Sequence, residues 1–311
     1  MLPTTSREKE LDVRAFVTGS QGFVGRHLIR HLELSGDHVV GVDRDDVDVT
    51  DLDQLRAAVL AARPDVAYHL AALTHVGESW ADPVEYTRVN VLGTKYLLDA
   101  VHDVGVGTTV VLVSSADVYG VVNETDLPIH EDFRVAPANP YASSKVEAEH
   151  VAHEMVRQRD QSVVIARPFN HLGPGQSERF VVPALVSRLL DAVRDGLDEI
   201  PVGDLSTRRD FSDVRDVVRA YRLLAQYGAR GETYNVAAGH DVALSDIAAQ
   251  LIEELAPGMR LVPDASLMRP VEIPVMRGSF DRLHEATGWE PTIPLSRSLR
   301  DVIEDLRTRR G

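Results

Sequence analysis

A glycine-rich segment between an apolar run and a helical stretch most restricts how this chain folds. The β-branched run Val13–Val17 is followed by Gly19-Ser20-Gln21-Gly22-Phe23-Val24-Gly25, in which the glycines are spaced as G-x-x-G-x-x-G. Glycines at this spacing permit a tight turn, let the backbone approach a pyrophosphate, and let the helix pack closely on the strand. The free N–H groups at the start of the helix then face phosphate oxygens. Strand, turn and helix in this order predict a dinucleotide site.

Short β-rich runs alternate with helical stretches through the first half of the chain. The predicted strands are Val13–Val17, His38–Val42, Val66–Leu70, Thr109–Val113 and Ser162–Ala166, and the predicted helices are Val24–Leu34, Leu52–Ala62, Pro83–Val104 and Tyr141–Arg159. This alternation predicts an α/β fold with a doubly wound parallel sheet and helices on both faces.

The pattern becomes less regular after Arg167. We expect residues 1–167 to form a dinucleotide-binding domain and residues 168–311 to form mainly a smaller α/β domain that binds substrate, with a strand near 233–236 returning to the large sheet. In this half, the pattern predicts loops at 170–176 and 201–209 and helices at Phe180–Arg194, Val242–Leu255 and Leu295–Leu306.

An aspartate ends the second predicted strand, where a carboxylate can bind the adenosine ribose hydroxyls. This residue, Asp43, favours NAD(H), because a carboxylate repels a 2′-phosphate. Arg44 follows it directly and could bind that phosphate, so NADP(H) stays open. Asp48 and Val49 are placed to contact the adenine, although a helix N-cap region would look similar.

Tyr141 and Lys145 are spaced i and i+4, on one face of a predicted helix. An ammonium near a phenol lowers the pKa of the phenol from about 10. Such a tyrosine can move a proton to or from a substrate oxygen while a hydride moves to or from nicotinamide. Ser115 follows the fourth predicted strand, whose carboxyl end faces the crevice of an open α/β sheet, and it can donate to the same oxygen.

Bulk composition excludes several classes of function. The formal net charge of −15 makes nucleic-acid binding unexpected, because phosphate contacts need a basic surface. The chain has no cysteine, which excludes disulfides and thiolate metal sites and fits a reducing cytoplasm. The polar segment at residues 1–12 does not look like a signal peptide, and no apolar run approaches the ~20 residues of a membrane span. We expect a cytoplasmic protein without a metal site.

These motifs resemble the extended short-chain dehydrogenase/reductases that act on nucleotide-activated sugars, a family with a Rossmann-type domain. The resemblance rests on Gly19–Gly25, Ser115, the Tyr141/Lys145 pair, and the segments His69-Leu70-Ala71-Ala72, Asn90-Val91-Leu92-Gly93-Thr94 and Arg167-Pro168-Phe169-Asn170. It implies NAD(H) or NADP(H) as cofactor, with contacts from Gly19, Gln21, Gly22, Phe23, Val24, Gly25, Asp43, Arg44, Asp48, Val49, Leu70, Ala71, Ala72, Asn90, Tyr141, Lys145 and Pro168. Asn90 would support the active-site helix, and as a buried polar group it needs partners.

The second half resembles the branch that contains GDP-mannose 4,6-dehydratases and GDP-4-keto-6-deoxy-mannose reductases. The resemblance lies in residues 170–176, 180–183, 209–216 and 269–272. It implies a nucleotide-diphosphate sugar, with GDP as the expected nucleotide, contacted by His75, Ser115, Asn170, Val181, Arg209, Arg269 and Glu272. Arginine forks suit a diphosphate in an acidic protein.

Asp117 bears on which reaction of this branch is expected. A 4,6-dehydratase needs a carboxylate base, normally a glutamate, where this chain has Asp117. A side chain that is one methylene shorter is misplaced by about 1 Å, which can cost about 10²-fold in rate. We therefore favour reduction of a GDP-4-keto-6-deoxy sugar to GDP-D-rhamnose or its C4 epimer. A 4,6-dehydratase, a 4-epimerase and a non-catalytic dinucleotide sensor follow in that order. Apolar residues on several faces of helices 83–104 and 141–159 also predict a homodimer.

Overall fold

A computed structural model of the chain describes residues 13–105, 107–267 and 273–310. Its larger sheet has six parallel strands: β1 Arg14–Thr18, β2 His38–Val42, β3 Val66–His69, β4 Thr109–Val113, β5 Val163–Pro168 and β9 Thr233–Val236. Their order is β2-β1-β3-β4-β5-β9. The doubly wound fold predicted from the sequence is confirmed. The predicted return of a strand at 233–236 is also confirmed, since Ile165–Pro168 pair with Thr233–Val236.

Helices cover both faces of this sheet, which explains why its central strands are almost continuously apolar. One face packs against α1 Phe23–Leu34 and α8 Val214–Tyr227. The other face packs against α2 Leu52–Ala62, α5 Gly93–Val104 and α6 Pro140–Arg159. The strand order reverses between β1 and β3, and an open α/β sheet binds its ligands in the crevice at that point.

The predicted helix Pro83–Val104 is interrupted in the structure. It consists of α4 Pro83–Thr87, a π-helical segment Arg88–Leu92, and α5, and a short helix α3 Val76–Ser79 precedes it. Asn90 lies in the π-helical segment and is 1% exposed. π-Helical turns occur often at functional sites, and apolar periodicity alone does not distinguish such a turn from regular helix.

The second half contains more strand than we predicted. β6 Asn170–Leu172, β8 Arg208–Asp213, β10 Asp241–Ala243 and β12 Val275–Met276 form a second sheet, and β7 Glu199–Val202 pairs with β11 Arg260–Pro263. The predicted loops 170–176 and 201–209 were therefore partly wrong. These strands have two to six residues and contain polar side chains, so their sequences lack the alternation that identifies longer strands.

Three helices cover these smaller sheets and enclose a separate hydrophobic core. They are α7 Val181–Asp195, α9 Leu244–Leu255 and α11 Leu295–Arg310, whereas α10 Asp281–Thr287 lies beside β9. Because α8 packs on the large sheet, the chain returns to that sheet before β9. A division into domains at residue 167 stays a prediction. Within the three described ranges, no helix has both the length and the apolar character to cross a membrane.

Candidate active site

A cleft of about 1140 Å³ lies between the carboxyl ends of the large sheet and the second sheet. It brings together nearly all of the site residues that the sequence predicted. The predicted residues that line it are Gly19, Gln21, Gly22, Phe23, Val24, Gly25, Asp43, Arg44, Asp48, Val49, Leu70, Ala71, Ala72, His75, Ser115, Asp117, Tyr141, Lys145, Pro168, Asn170, Val181 and Arg209. Arg269 and Glu272 lie outside the described residues.

The glycine-rich turn has the shape that a dinucleotide pyrophosphate requires. Gly19 has φ +71°, and a Cβ atom there would lie 2.8 Å from the Ala71 nitrogen. A Cβ atom at Gly25 would lie 2.1 Å from the Gly19 carbonyl oxygen. Helix α1 has no side-chain cap and no acidic residue in its first turn, so its N–H groups face the cleft without a competing carboxylate.

Two carboxylates border the part of the cleft where an adenosine would lie. Asp43 accepts hydrogen bonds from the backbone nitrogens of Gln21 and Arg44, both at 2.8 Å. Asp48 accepts from the backbone nitrogen of Thr50 at 2.8 Å and from its hydroxyl at 2.7 Å. These bonds lower the pKa of Asp48, so this carboxylate is charged at neutral pH. The turn and this acidic border fit an adenine dinucleotide.

Tyr141 and Lys145 lie on the first turns of α6 and are both buried. The side chain of Asn139 caps this helix by accepting from the Ala142 nitrogen at 2.8 Å. Lys145 Nζ donates to the Val113 carbonyl oxygen at 2.9 Å. Burial lowers the pKa of Lys145 to about 8, and the charge of Glu149 opposes that change.

The pKa of Tyr141 is shifted upward, whereas the sequence predicted a downward shift. Burial raises the pKa of Tyr141, and the nearby charge of Asp117 raises it further, while a hydrogen bond with Ser115 opposes both. The expected lowering by Lys145 was wrong for the protein alone, because desolvation of the phenolate dominates. Tyr141 therefore keeps its proton at neutral pH and is a proton donor in this state.

Ser115 and Asp117 lie where β4 ends and a single 3₁₀ turn, Ala116–Tyr119, begins. The Ser115 hydroxyl accepts from the Asp117 backbone nitrogen at 3.2 Å, which caps this turn and turns both side chains toward the cleft. The hydroxyl of Ser115, the phenol of Tyr141 and the carboxylate of Asp117 thus line the same cavity, and the first and last of these both act on Tyr141.

Asn90 is not among the residues that line the cleft, unlike the other described residues predicted to contact cofactor. Its side-chain oxygen accepts from the Leu73 nitrogen at 2.8 Å, and its Nδ2 donates to the Leu73 carbonyl at 3.0 Å and to the Ser144 hydroxyl at 2.8 Å. Asn90 therefore joins the loop after β3 to the helix that carries Tyr141, in agreement with the expected support of that helix.

The predicted substrate residues lie on the opposite side of the cleft or near its rim. Asn170 begins β6, Val181 begins α7, and Arg209 is in β8, where its Nη1 donates to the Arg208 carbonyl at 2.9 Å. His75 caps α3 by accepting from the Glu78 nitrogen at 3.2 Å.

The structure adds cleft residues that the sequence analysis missed, among them the cationic residues Arg26, Arg88, Arg179 and Arg188. Arg88 is held by Glu85 through two hydrogen bonds of 2.6 Å, and Arg179 forms an ion pair with Glu78 across the cleft rim. Arg188 could have been found, since Val181 and Arg188 are two helical turns apart on α7 and share a face.

The side chains of the described residues were also compared with the ligand sets that metal ions need. In the part of the chain that the structure describes, no three His, Cys, Asp or Glu side chains are grouped so that they could hold a metal ion. The NAD-dependent epimerase/dehydratase family matches residues 15–237, a range that contains the glycine turn, the acidic border and the Tyr–Lys pair. The chain belongs to this family. It is an NAD(P)-dependent oxidoreductase of the extended short-chain dehydrogenase/reductase type.

Two relatives and one solved structure show which members of the family this chain resembles in detail. The chain is 38% identical over 300 residues to a GDP-6-deoxy-D-mannose reductase of Pseudomonas aeruginosa, covering 95% of this chain and 98% of the relative. It is 30% identical over 302 residues to a GDP-6-deoxy-D-talose 4-dehydrogenase of Aggregatibacter actinomycetemcomitans, covering 94% and 97%. The structure of RMD from Pseudomonas aeruginosa complexed with NADPH matches with a TM-score of 0.88 at 38% identity, covering 96% and 99%.

Proposed function

We propose that the chain reduces a GDP-linked 4-keto-6-deoxy-hexose, converting GDP-4-keto-6-deoxy-mannose to GDP-D-rhamnose or its C4 epimer. The observation that carries this proposal is the phenol of Tyr141, hydrogen-bonded to Ser115, in the same cleft as the glycine-rich turn. Reduction of a ketone needs a proton donor at the carbonyl oxygen, and this pair supplies one. Two relatives of nearly equal length are enzymes named for reactions of GDP-6-deoxy sugars.

Tyr141, Ser115 and Lys145 each have a separate role in the reduction. When bound, the reduced nicotinamide supplies a hydride to C4 of the sugar. Tyr141 donates its phenolic proton to the C4 oxygen, so that the C=O group becomes an alcohol. Ser115 donates a hydrogen bond to the same oxygen, which stabilises the negative charge that develops there. Lys145, as an ammonium, holds the nicotinamide ribose and then favours the phenolate that Tyr141 becomes.

Arg209 on the second sheet and Arg188 on α7 place positive charge in the cleft, which favours a nucleotide-diphosphate substrate. Arg209 and Asn170 bind the diphosphate, Val181 packs against the nucleoside, and His75 contacts the sugar. Outside the described residues, Arg269 adds a positive charge and Glu272 binds the nucleoside ribose. In a protein with a net charge of −15, a dianion requires such a local cluster of arginines.

A 4,6-dehydratase is the second candidate, because Asp117 places a carboxylate in the cleft beside Tyr141. That reaction needs a base for the C5 proton of the sugar. The negative charge of Asp117 raises the pKa of Tyr141, which suits a tyrosine that gives a proton better than one that first takes it. A 4-epimerase ranks third.

Reduction of GDP-4-keto-6-deoxy-mannose tests the proposal. We expect one equivalent of NADH or NADPH to be oxidised per keto sugar, followed as loss of absorbance, with a GDP-6-deoxyhexose identified by NMR. Absence of cofactor oxidation with this substrate, under conditions where the protein binds NADH, would contradict the proposal.

We further propose that the protein is a homodimer formed through α4, α5 and α6. On the first of these helices Val84 is 76% exposed, and Leu92 in the adjoining π-helical segment is 39% exposed. Large apolar side chains on neighbouring helices favour association. Light scattering at micromolar concentration should give twice the mass of 34.2 kDa, and Val84→Glu should lower it. A monomeric mass for the unaltered protein would contradict this interface.

A cytoplasmic location completes the proposal. A chain without cysteine gains nothing from an oxidising compartment. Recovery of the native protein in the cytoplasmic fraction of its source cells is expected, and recovery outside that fraction would contradict it.

A further inference from the structure

A buried ion pair lies one helical turn beyond Lys145 on α6. Arg167 of β5 donates from Nε to Glu149 Oε1 at 2.9 Å and from Nη2 to Oε2 at 2.6 Å. Arg167 is 5% exposed and Glu149 is 3% exposed. Such a two-pronged pair fixes both the distance and the orientation of the two elements that carry it.

The same carboxylate is bonded to the end of β4. The hydroxyl of Ser114, the residue before Ser115, donates to Glu149 Oε1 at 2.5 Å. Ser114 is itself 3% exposed. Glu149 therefore connects the helix of Tyr141 and Lys145 directly to the strand end that carries Ser115.

Arg167 extends these contacts to the 3₁₀ turn that carries Asp117. Its Nη1 donates to the Tyr119 hydroxyl at 3.0 Å, and its guanidinium lies 4.9 Å from the centre of the Tyr119 ring. Tyr119 in turn donates to Asn235 Oδ1 at 2.7 Å, on β9. The ion pair is thus bonded to the residue before Ser115 and to the turn that carries Asp117, and Glu149 shares α6 with Tyr141 and Lys145.

Stability alone does not explain this arrangement. Burying two charges costs desolvation energy that their attraction only roughly offsets, and apolar residues of the same size often serve equally well. An apolar pair would lack the charge and the fixed geometry beside Lys145, which points to a role in the reaction.

We propose that Glu149, oriented by Arg167 and Ser114, is a positioning residue for Lys145, which lies one helical turn before it, and for Ser115 beside Tyr141. The inference rests on the proposed redox function and adds residues that do not touch substrate. In support, the Glu149 charge raises the pKa of Lys145 against the effect of burial. Further titratable groups face this site. Lys145 acts on His69 of β3, and Glu149 and Arg167 act on His153 of α6 and on Tyr119. Glu131 also acts on Tyr119, Asp117 and Tyr86 act on Tyr141, and Tyr141 acts on Tyr221 of α8.

The test is the pH dependence of NADH binding and of turnover in Glu149→Gln. Lys145 is charged below its pKa of about 8 and neutral above it. NADH affinity and kcat of the unaltered protein should therefore fall as the pH rises through about 8. Removing the Glu149 charge moves this loss to lower pH, by at least about one unit, and lowers kcat at pH 8 by about 5-fold or more.

Two further variants separate positioning from general damage to the fold. Asp37→Asn breaks a second two-pronged pair, in which the partly exposed Arg222 donates to the buried Asp37 at 2.8 and 3.1 Å, on the α1 and α8 side of the large sheet. It should leave the pH profile unchanged. Glu149→Asp keeps the charge on a shorter side chain, so its profile should lie between those of the unaltered protein and Glu149→Gln.

Each outcome decides the proposal. If the profile of Glu149→Gln coincides with that of the unaltered protein, or if Asp37→Asn shifts it equally, the proposal is overturned. If Glu149→Gln does not fold, an unchanged profile in Glu149→Asp overturns it. The binding titration needs only NADH, so failure of the proposed sugar reduction would leave this test intact and would be seen separately.

Discussion

The side-chain amide of Asn90 donates to the hydroxyl of Ser144 at 2.8 Å, joining the π-helical segment to the helix of Tyr141 and Lys145. Ser144 lies between these two residues on α6 and is itself buried. The same amide satisfies both backbone groups of Leu73. One buried side chain thus fixes the loop after β3 relative to the proton-donating helix.

Replacing Asn90 with alanine should destabilise the protein by about 2–4 kcal/mol. The change leaves the Leu73 N–H and C=O and the Ser144 hydroxyl without these partners, and each unsatisfied buried polar group costs about 1–3 kcal/mol before relaxation or water entry. Urea unfolding gives the free energy. Asn123→Ala removes an exposed bond to Asp126 and should change it by less than about 0.5 kcal/mol. Equal effects of the two changes would contradict the role given to Asn90.

His69 should make the folded protein sensitive to acid. Burial, helped by the charge of Lys145, lowers its pKa to about 3, against about 6.5 in an unfolded chain. Between these values the unfolded state binds the extra proton, so the free energy of unfolding falls as pH drops from about 6.5 toward 3. His69→Gln should lessen the loss between pH 7 and pH 5, and His150→Gln, at an exposed position, should not. Identical pH slopes for all three proteins would contradict this account.

Asp43 should give the protein a preference for NADH over NADPH. Its carboxylate is fixed at the cleft by two backbone N–H groups and would repel a 2′-phosphate. Asp43→Asn should raise NADPH affinity relative to NADH by about 10-fold, as measured by fluorescence titration. Asp45→Asn removes the same charge from an exposed position in this loop and should change the ratio little. The related RMD structure was solved with NADPH, so the preference of this protein needs its own measurement. Stronger binding of NADPH than of NADH to the unaltered protein would contradict the prediction.

Tyr141→Phe should lower kcat by about 10²-fold or more, because a positioned proton donor contributes about 10²–10⁴-fold. NADH affinity should stay nearly unchanged, since the ring and the ammonium of Lys145 remain. Tyr227→Phe, at a position 57% exposed, is the matched control and should retain full activity. Near-normal turnover by Tyr141→Phe would assign the proton transfer to another group.

The large sheet could be predicted from the sequence because its buried strands are apolar and its glycine turn has a fixed order of elements. The cleft residues near that turn followed from the same rule. Short strands such as β6 and β12 could not be predicted, since distant pairing partners stabilise them. The state of Tyr141 was also missed, because i, i+4 spacing reports a neighbouring charge and gives no information about burial. Likewise, nothing local to Arg167 or Glu149 indicates that the two residues pair.

The fate of GDP-mannose in the absence of added reductant tests the central claim most directly. A reductase leaves GDP-mannose unchanged and consumes one NAD(P)H per keto sugar. A dehydratase converts it without net use of cofactor, and loss of its base would lower that rate by about 10³-fold, within the range for general-base catalysis. We predict that the protein does not convert GDP-mannose. We also predict that Asp117→Asn slows keto-sugar reduction only about 5- to 30-fold, a loss of about 1–2 kcal/mol in transition-state stabilisation. Stoichiometric conversion of GDP-mannose, abolished in Asp117→Asn, would contradict the account.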